Sequence, residues 1–117
     1  MSELIYEPIP QLTQSEIEAA IERDDPDELL RAILAAALYQ EREIAEPICI
    51  RLASHAHFNV RGNALLGFAH IARLHSKLDQ ESIKPIIRKG LTDEHEYVRG
   101  HARDAKKDTE FYLDWKY

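Results

Sequence analysis

The chain has 117 residues and a formal net charge of −6, with 15 basic and 21 acidic side chains. A single cysteine excludes a disulfide scaffold. No apolar run approaches the roughly 18 residues of a membrane-spanning helix, and the acid excess argues against a general nucleic-acid binder. The first residues lack the basic-then-apolar pattern of a secretion signal. We therefore expect one cytoplasmic domain over residues 1–117, with no direct contact to nucleic acid or membrane.

Helix start signals recur along the chain, and no alternating pattern indicates a strand. Thr13 and Glu16 form a capping-box pattern, and Asp25-Pro26 is a stronger helix start. Asn59 and Asp79 are the expected caps of the fourth and fifth helices, and Pro47 is expected to delay or kink the third. The six predicted helices cover about 14–23, 26–39, 42–54, 60–75, 80–90 and 94–111, after an extended arm over residues 1–12.

The chain repeats itself at a spacing of 38 residues. Pro47-Ile48 recurs as Pro85-Ile86, and Val60-Arg61-Gly62 recurs as Val98-Arg99-Gly100. Helical hairpins repeated about every 40 residues are typical of HEAT and armadillo proteins, in which about three stacked hairpins are needed for a continuous core. We therefore predict an all-α fold, an α-solenoid of three HEAT/armadillo-like hairpins at about 13–40, 41–76 and 78–112.

One charged residue lies within the predicted apolar face of the fourth helix. On a helical wheel Arg61 falls between Phe68 and Ala72, where an unpaired charge is costly. We expect Arg61 to have a structural role, with Asp93 as the candidate carboxylate partner. Its repeat equivalent Arg99 is expected to have a similar role.

The opposite face of the same helix is expected to be free, as is the corresponding face of the sixth helix. The residues concerned are Asn63, His70 and Arg73 in the fourth helix and His101, Asp104, Asp108, Phe111 and, if the helix continues, Trp115 in the sixth. Aromatic side chains are enriched at interface centres, and acidic neighbours favour a basic partner. Alternatively, Phe111, Tyr112 and Trp115 cap the open end of the core.

Charge is unevenly distributed along the chain. Residues 1–50 hold 12 acidic and 3 basic side chains, whereas residues 51–117 hold 9 acidic and 12 basic ones. A second candidate partner surface is the acidic group formed by Glu22, Asp24, Asp25, Asp27 and Glu28. The alternative is an ordinary solvated surface, because carboxylates are favoured at helix N-termini.

Patterns typical of enzymes are weak. The His-Glu-x-x-His zinc motif is absent, the glycines are isolated, and the single His95-Glu96 pair is too little for a di-iron site. Cys49 lies among apolar neighbours and is expected to be buried. We predict no catalytic residues, no metal and no cofactor.

Two segments carry a family resemblance: Leu65-Leu66-Gly67-Phe68-Ala69-His70-Ile71-Ala72-Arg73-Leu74, and Tyr97-Val98-Arg99-Gly100-His101-Ala102 with Phe111-Tyr112-Leu113-Asp114-Trp115. Over about residues 28–115 the chain resembles a small family of bacterial single-domain HEAT-like proteins. Some of these are immunity proteins of contact-dependent growth inhibition (CDI) and related polymorphic toxin systems. The Asp-Pro usual in HEAT turns is present only in the first copy, as Asp25-Pro26.

The resemblance implies a cytoplasmic antitoxin. It would bind the C-terminal toxin domain of one delivered effector, an RNase for which the EndoU type is one candidate, and occlude its active site. Nuclease toxins are usually basic because they hold a phosphate backbone, and an acidic inhibitor fits that charge. The alternative is a general HEAT-like scaffold or adaptor that binds a host protein or peptide.

Overall fold

The computed structural model describes residues 9–117, and this part of the chain contains six α-helices and no strands. The helices are α1 (Gln14–Arg23), α2 (Pro26–Tyr39), α3 (Arg42–Leu52), α4 (Phe58–His75), α5 (Gln80–Gly90) and α6 (Glu96–Leu113). The all-α prediction is confirmed. Helix α3 begins at Arg42 as predicted, so Pro47 does not delay its start.

Local capping explains where the first two helices begin. The Thr13 hydroxyl accepts a hydrogen bond from the Glu16 backbone N–H, and the Glu16 carboxylate accepts one from the Thr13 N–H. At α2 the Asp25 carboxylate accepts from the Glu28 N–H, and Pro26 occupies the first helical position, where its missing N–H costs nothing. Both predicted helix starts are confirmed.

The cap of α4 and the first residue of α6 differ from the prediction. His57, not Asn59, precedes α4, and its Nδ1 accepts a hydrogen bond from the Asn59 N–H at 3.2 Å. His95 caps α6 in the same way, so α6 begins at Glu96. An imidazole nitrogen can replace the usual capping oxygen because it is also a hydrogen-bond acceptor.

The second helices of the three predicted hairpins pack side by side, with α4 between α2 and α6. Each first helix, α1, α3 or α5, packs against the second helix of its own hairpin, while α3 and α5 touch only slightly. Consecutive hairpins contact each other chiefly through α2, α4 and α6, with a further contact between α2 and α3.

The core depends on close approach between helices. Phe68, Leu65 and Ile87 are among its fully buried side chains. Gly90 ends α5 against Leu65 and Ala102, and an added Cβ there would lie 2.7 Å from Leu65 Cδ1. Gly90 therefore serves close packing rather than a left-handed helix end, since no glycine in the described chain has positive φ.

Cys49 is fully buried, as predicted, and burial raises the pKa of its thiol to about 12. Gly67 faces it, so that a Cβ at this position would lie 2.6 Å from the Cys49 sulfur. Cys49 therefore behaves as a small packed side chain rather than a reactive thiolate.

Most of the predicted N-terminal arm, residues 1–8, lies outside the described residues. The remainder leads into α1 without helical structure. The Gln40 side-chain amide donates a hydrogen bond to the Leu12 carbonyl at 2.6 Å, which joins this segment to the end of α2. No helix of the described chain is both long and apolar enough to span a bilayer.

Candidate protein-binding surface

A buried ion pair sets the position of the third hairpin relative to the second. Arg61 donates to both Asp93 oxygens at 3.0 Å and to the carbonyls of His55 and Ala56. Both charged side chains are about 85% buried, and the Arg61 guanidinium holds the pKa of Asp93 below its ordinary value. The prediction that Arg61 is structural and pairs with Asp93 is confirmed.

Arg99 contributes to the same connection, since it donates to the Asp93 backbone carbonyl at 2.7 Å. The repeat-equivalent arginines therefore both stabilise the turn before α6, one through the Asp93 carboxylate and one through its carbonyl. Neither guanidinium is available for chemistry, because each is engaged in tying turns together.

Helices α4 and α6 meet along a tight seam. Gly62 leaves room for Tyr97 and His101, whose ring atoms would lie within 3.1 Å of a Cβ at that position. The Asn63 amide donates to the Tyr97 hydroxyl at 2.8 Å and to the Asn59 carbonyl at 2.8 Å. Asn63, predicted as part of a free face, is half-buried and bonded within the fold.

A stack of rings joins the first turns of α4 and α6. The Phe58 ring lies parallel to the His95 ring with centroids 3.8 Å apart, and it also stacks on His57 at 5.1 Å. Tyr97 meets Phe58 edge-on at 5.8 Å. This stack was not predicted from the sequence, although the recurrence of His57 as His95 at the repeat spacing was a signal that the two turns lie side by side.

The predicted free stripe of α6 is exposed only in part, since Asp104 and Phe111 are exposed whereas His101 and Asp108 are half-buried. We call its four residues, His101, Asp104, Asp108 and Phe111, the α6 face; they recur every three or four positions and so share one side of the helix. Phe111 is 79% exposed, and Tyr112 beside it packs edge-on against its ring with centroids 4.8 Å apart. The Asp104 side chain is 59% exposed.

Two histidines lie near the aspartates of the α6 face: His101, which belongs to the face, and His70 of α4, which borders it. The His101 Nδ1 is 3.9 Å from Asp104 and has no hydrogen-bond partner in the described structure. His70 of α4 shares a hydrogen bond with Arg73 at 3.1 Å and lies close enough to Asp108 to interact with its charge. Burial lowers the pKa of both imidazoles. The α4 residues predicted for the site therefore adjoin those of α6.

Trp115 does not join this face. Helix α6 ends at Leu113, Asp114 adopts a left-handed conformation with φ 58°, and the chain turns away from the helix axis. Trp115 is 7% exposed and belongs to the hydrophobic core, with Tyr117 nearby. The expectation of an exposed Trp115 is wrong; the alternative, in which it closes the end of the core, agrees with its burial.

The predicted acidic group surrounds the turn between α1 and α2, and most of its members are used by the fold. Asp25 caps α2, Glu28 makes a bidentate pair with Arg23, and Asp24 lies 2.7 Å from His55 Nε2. The Asp24–His55 contact joins this turn to the turn between α3 and α4. The two remaining members, Glu22 and Asp27, are exposed.

A groove of about 740 Å³ separates the weakly contacting helices α3 and α5. Its floor includes Ile50, Leu65 and Ile86, and the Arg61–Asp93 pair forms part of its wall. In residues 9–117 no group of three or more His, Cys, Asp or Glu side chains is arranged to hold a metal ion.

No family model matches the chain, and neither does any curated protein. A solved structure has a similar fold. It is a chain in the crystal structure of a CDI complex from Cupriavidus taiwanensis, with a TM-score of 0.79 and 22% sequence identity. The similarity covers 94% of this chain and 98% of the other. The six-helix arrangement is therefore shared over nearly the full length of both chains.

Proposed function

We propose that this protein is a CDI immunity protein that binds and neutralises the C-terminal nuclease toxin domain of a CDI effector. The observation that carries the proposal is the fold shared, over nearly the whole of both chains, with a chain of a CDI complex. It supports the family resemblance inferred from the sequence. In this proposal the protein is a HEAT-like, cytoplasmic, non-enzymatic binder, and its target is an RNase for which the EndoU type is one candidate.

The proposed mechanism is occlusion. The acidic and aromatic side chains of the α6 face would occupy the phosphate-binding cleft of the toxin, with Asn63, His70 and Arg73 at its border. The acidic group from Glu22 to Glu28 is a second contact surface. The net charge of −6 would steer a basic toxin toward the inhibitor, so association should slow as salt rises.

Co-expression tests the proposal. The tagged full-length protein is expressed with the toxin domain encoded directly upstream of its gene, and both growth and recovery of a complex are measured. We expect a stoichiometric complex and restored growth. A toxin domain from an unrelated CDI system is the control, and it should neither bind nor be neutralised.

Three results would contradict the proposal. Failure to bind or to restore growth would remove the immunity function. Micromolar binding to several unrelated proteins, without tight binding to the toxin, would indicate the alternative function of a general scaffold. Stoichiometric iron or zinc in the purified protein would contradict the non-enzymatic part of the proposal.

A further inference from the structure

The α6 face contains two aspartates that the fold itself does not require. Asp104 and Asp108 lie in the interior of α6, away from the N-terminus where a carboxylate interacts favourably with the helix dipole. The other acidic residues of the helix, Glu96 and Glu110, are paired with basic side chains. Like charges one turn apart repel, and aspartate is a poor helix former. Such departures from local preference are typical of functional positions.

Neighbouring side chains leave these two charges uncompensated. No lysine or arginine of residues 9–117 forms an ion pair with Asp104 or Asp108, and the group within ion-pair distance of Asp104 is His101. Burial lowers the pKa of both His101 and His70 below the ordinary histidine value, so neither ring supplies a full compensating charge at neutral pH. Asp104 therefore presents an uncompensated negative charge to solvent, and the half-buried Asp108 adds a second one a turn further along the helix.

An exposed aromatic ring continues the same stripe. Phe111 lies three residues beyond Asp108, on the same side of the helix, and is 79% exposed. Such exposure of a large apolar ring contributes nothing to the core. A partner that covers it would gain apolar burial directly beside two carboxylates.

We propose that the α6 face docks an arginine of the toxin domain, whose guanidinium bridges Asp104 and Asp108 and lies against the Phe111 ring. This inference rests on the proposed function and names the chemistry of its contact. The two Cβ atoms are about 5–6 Å apart at this spacing, within the reach of one guanidinium with its five N–H donors. A guanidinium also stacks on an aromatic ring, whereas a lysine ammonium is compact and more strongly hydrated.

The test compares variants of the full-length protein for affinity to the purified upstream-encoded toxin domain and for thermal stability. Asp104→Asn combined with Asp108→Asn should weaken binding at least about 100-fold, because a cationic side chain would be left at the interface without its partners. The melting temperature should stay the same or rise, since repulsion within α6 is removed.

A matched control changes the net charge equally elsewhere. Glu41→Gln combined with Glu81→Gln alters two exposed carboxylates, one directly before α3 and one in α5, and it should change the affinity less than about threefold. Phe111→Ala should weaken binding about tenfold with unchanged stability, and Phe111→Leu should recover only part of the loss, because it restores apolar area without a ring.

The outcomes separate this inference from the proposed function. A wild-type protein that does not bind the toxin overturns both. Binding by the wild type that is unaffected in the Asp104/Asp108 variant, or equally weakened in the control, overturns the arginine contact alone. A single toxin arginine whose change to lysine reproduces the loss supports it.

Discussion

Replacing Arg61 by methionine should destabilise the protein strongly. Methionine keeps an unbranched apolar side chain but removes four hydrogen bonds, two to Asp93 and two to the carbonyls of His55 and Ala56. Since the Arg61 and Asp93 side chains are only 16% and 15% exposed, Asp93 would remain as a largely buried carboxylate without its partner. We expect a loss of about 3 kcal/mol in the free energy of unfolding.

This loss can be measured by urea and thermal denaturation. At about 4 °C per kcal/mol for a domain of this length, the melting temperature should fall by about 12 °C. The control is Arg103→Met, which removes an ion pair whose side chains are 55% and 67% exposed and should cost less than about 1 kcal/mol. If Arg61→Met costs no more than the control, the reasoning about the buried pair is wrong.

The same pair predicts an acid dependence. The pKa of Asp93 is lowered in the folded protein, chiefly by its hydrogen bond from Arg61. The resulting stabilisation is therefore fully present above the ordinary aspartate pKa of 3.8, and it is lost as pH falls through the lower folded value. The stability difference between wild type and Arg61→Met should shrink over that range. A difference that is constant with pH would contradict the assignment.

Three substitutions and one change of pH test other parts of the fold. Trp115→Ala should cost about 3 kcal/mol because the ring is 7% exposed, whereas Phe111→Ala at an exposed ring should cost less than about 0.5 kcal/mol. Glu46→Ala should cost about 2 kcal/mol, since this buried carboxylate accepts from the Asp79 N–H before α5. Stability should fall as pH drops below 6.5, because the lowered pKa values of His70 and His101 let the unfolded chain bind protons first.

Each stability change is measured as a shift in the urea midpoint of unfolding. A different result would refute each expectation. Equal losses for the Trp115 and Phe111 variants would mean that Trp115 is not part of the core. Glu46→Gln keeps an acceptor and should cost less than Glu46→Ala; equal costs would mean that the hydrogen bond from Asp79 does not account for the loss. Replacing His70 and His101 by glutamine should flatten the stability profile between about pH 7.5 and pH 5.5, and an unchanged profile would assign it to other groups.

The features that were predicted correctly depend either on local interactions or on an energetic cost that is the same in any fold. The starts of α1 and α2 depend on hydrogen bonds between residues three apart, such as Thr13 with Glu16 and Asp25 with Glu28. Arg61 could be assigned a partner because an unpaired charge on an apolar face is costly in any fold. The spacing of 38 residues then indicated which turn supplies that partner.

The candidate site was predicted only in part, because exposure depends on which elements pack together. The α6 face follows from helix periodicity, and the structure places it beside His70, as expected from the repeat. Asn63 is instead engaged by Tyr97, a contact set by the close approach of the two helices at Gly62. Asn63 was placed on a free face from the periodicity of α4, but whether its side chain is free to bind a partner could not be predicted from α4 alone.

The sequence by itself determined the all-α class, the six helices and the need to pair Arg61, because these follow from capping, periodicity and the cost of a buried charge. Only the tertiary structure decided that His57 and His95 stack on Phe58, that Glu46 accepts a hydrogen bond from the Asp79 N–H before α5, and that Trp115 returns to the core. The ring stack and the Glu46 contact join residues that are far apart in the chain. The position of Trp115 depends on the direction that the chain takes after α6, and that direction depends on which apolar surface is available to bury the ring. Their energies arise only when the hairpins are packed together, so no local pattern could specify them.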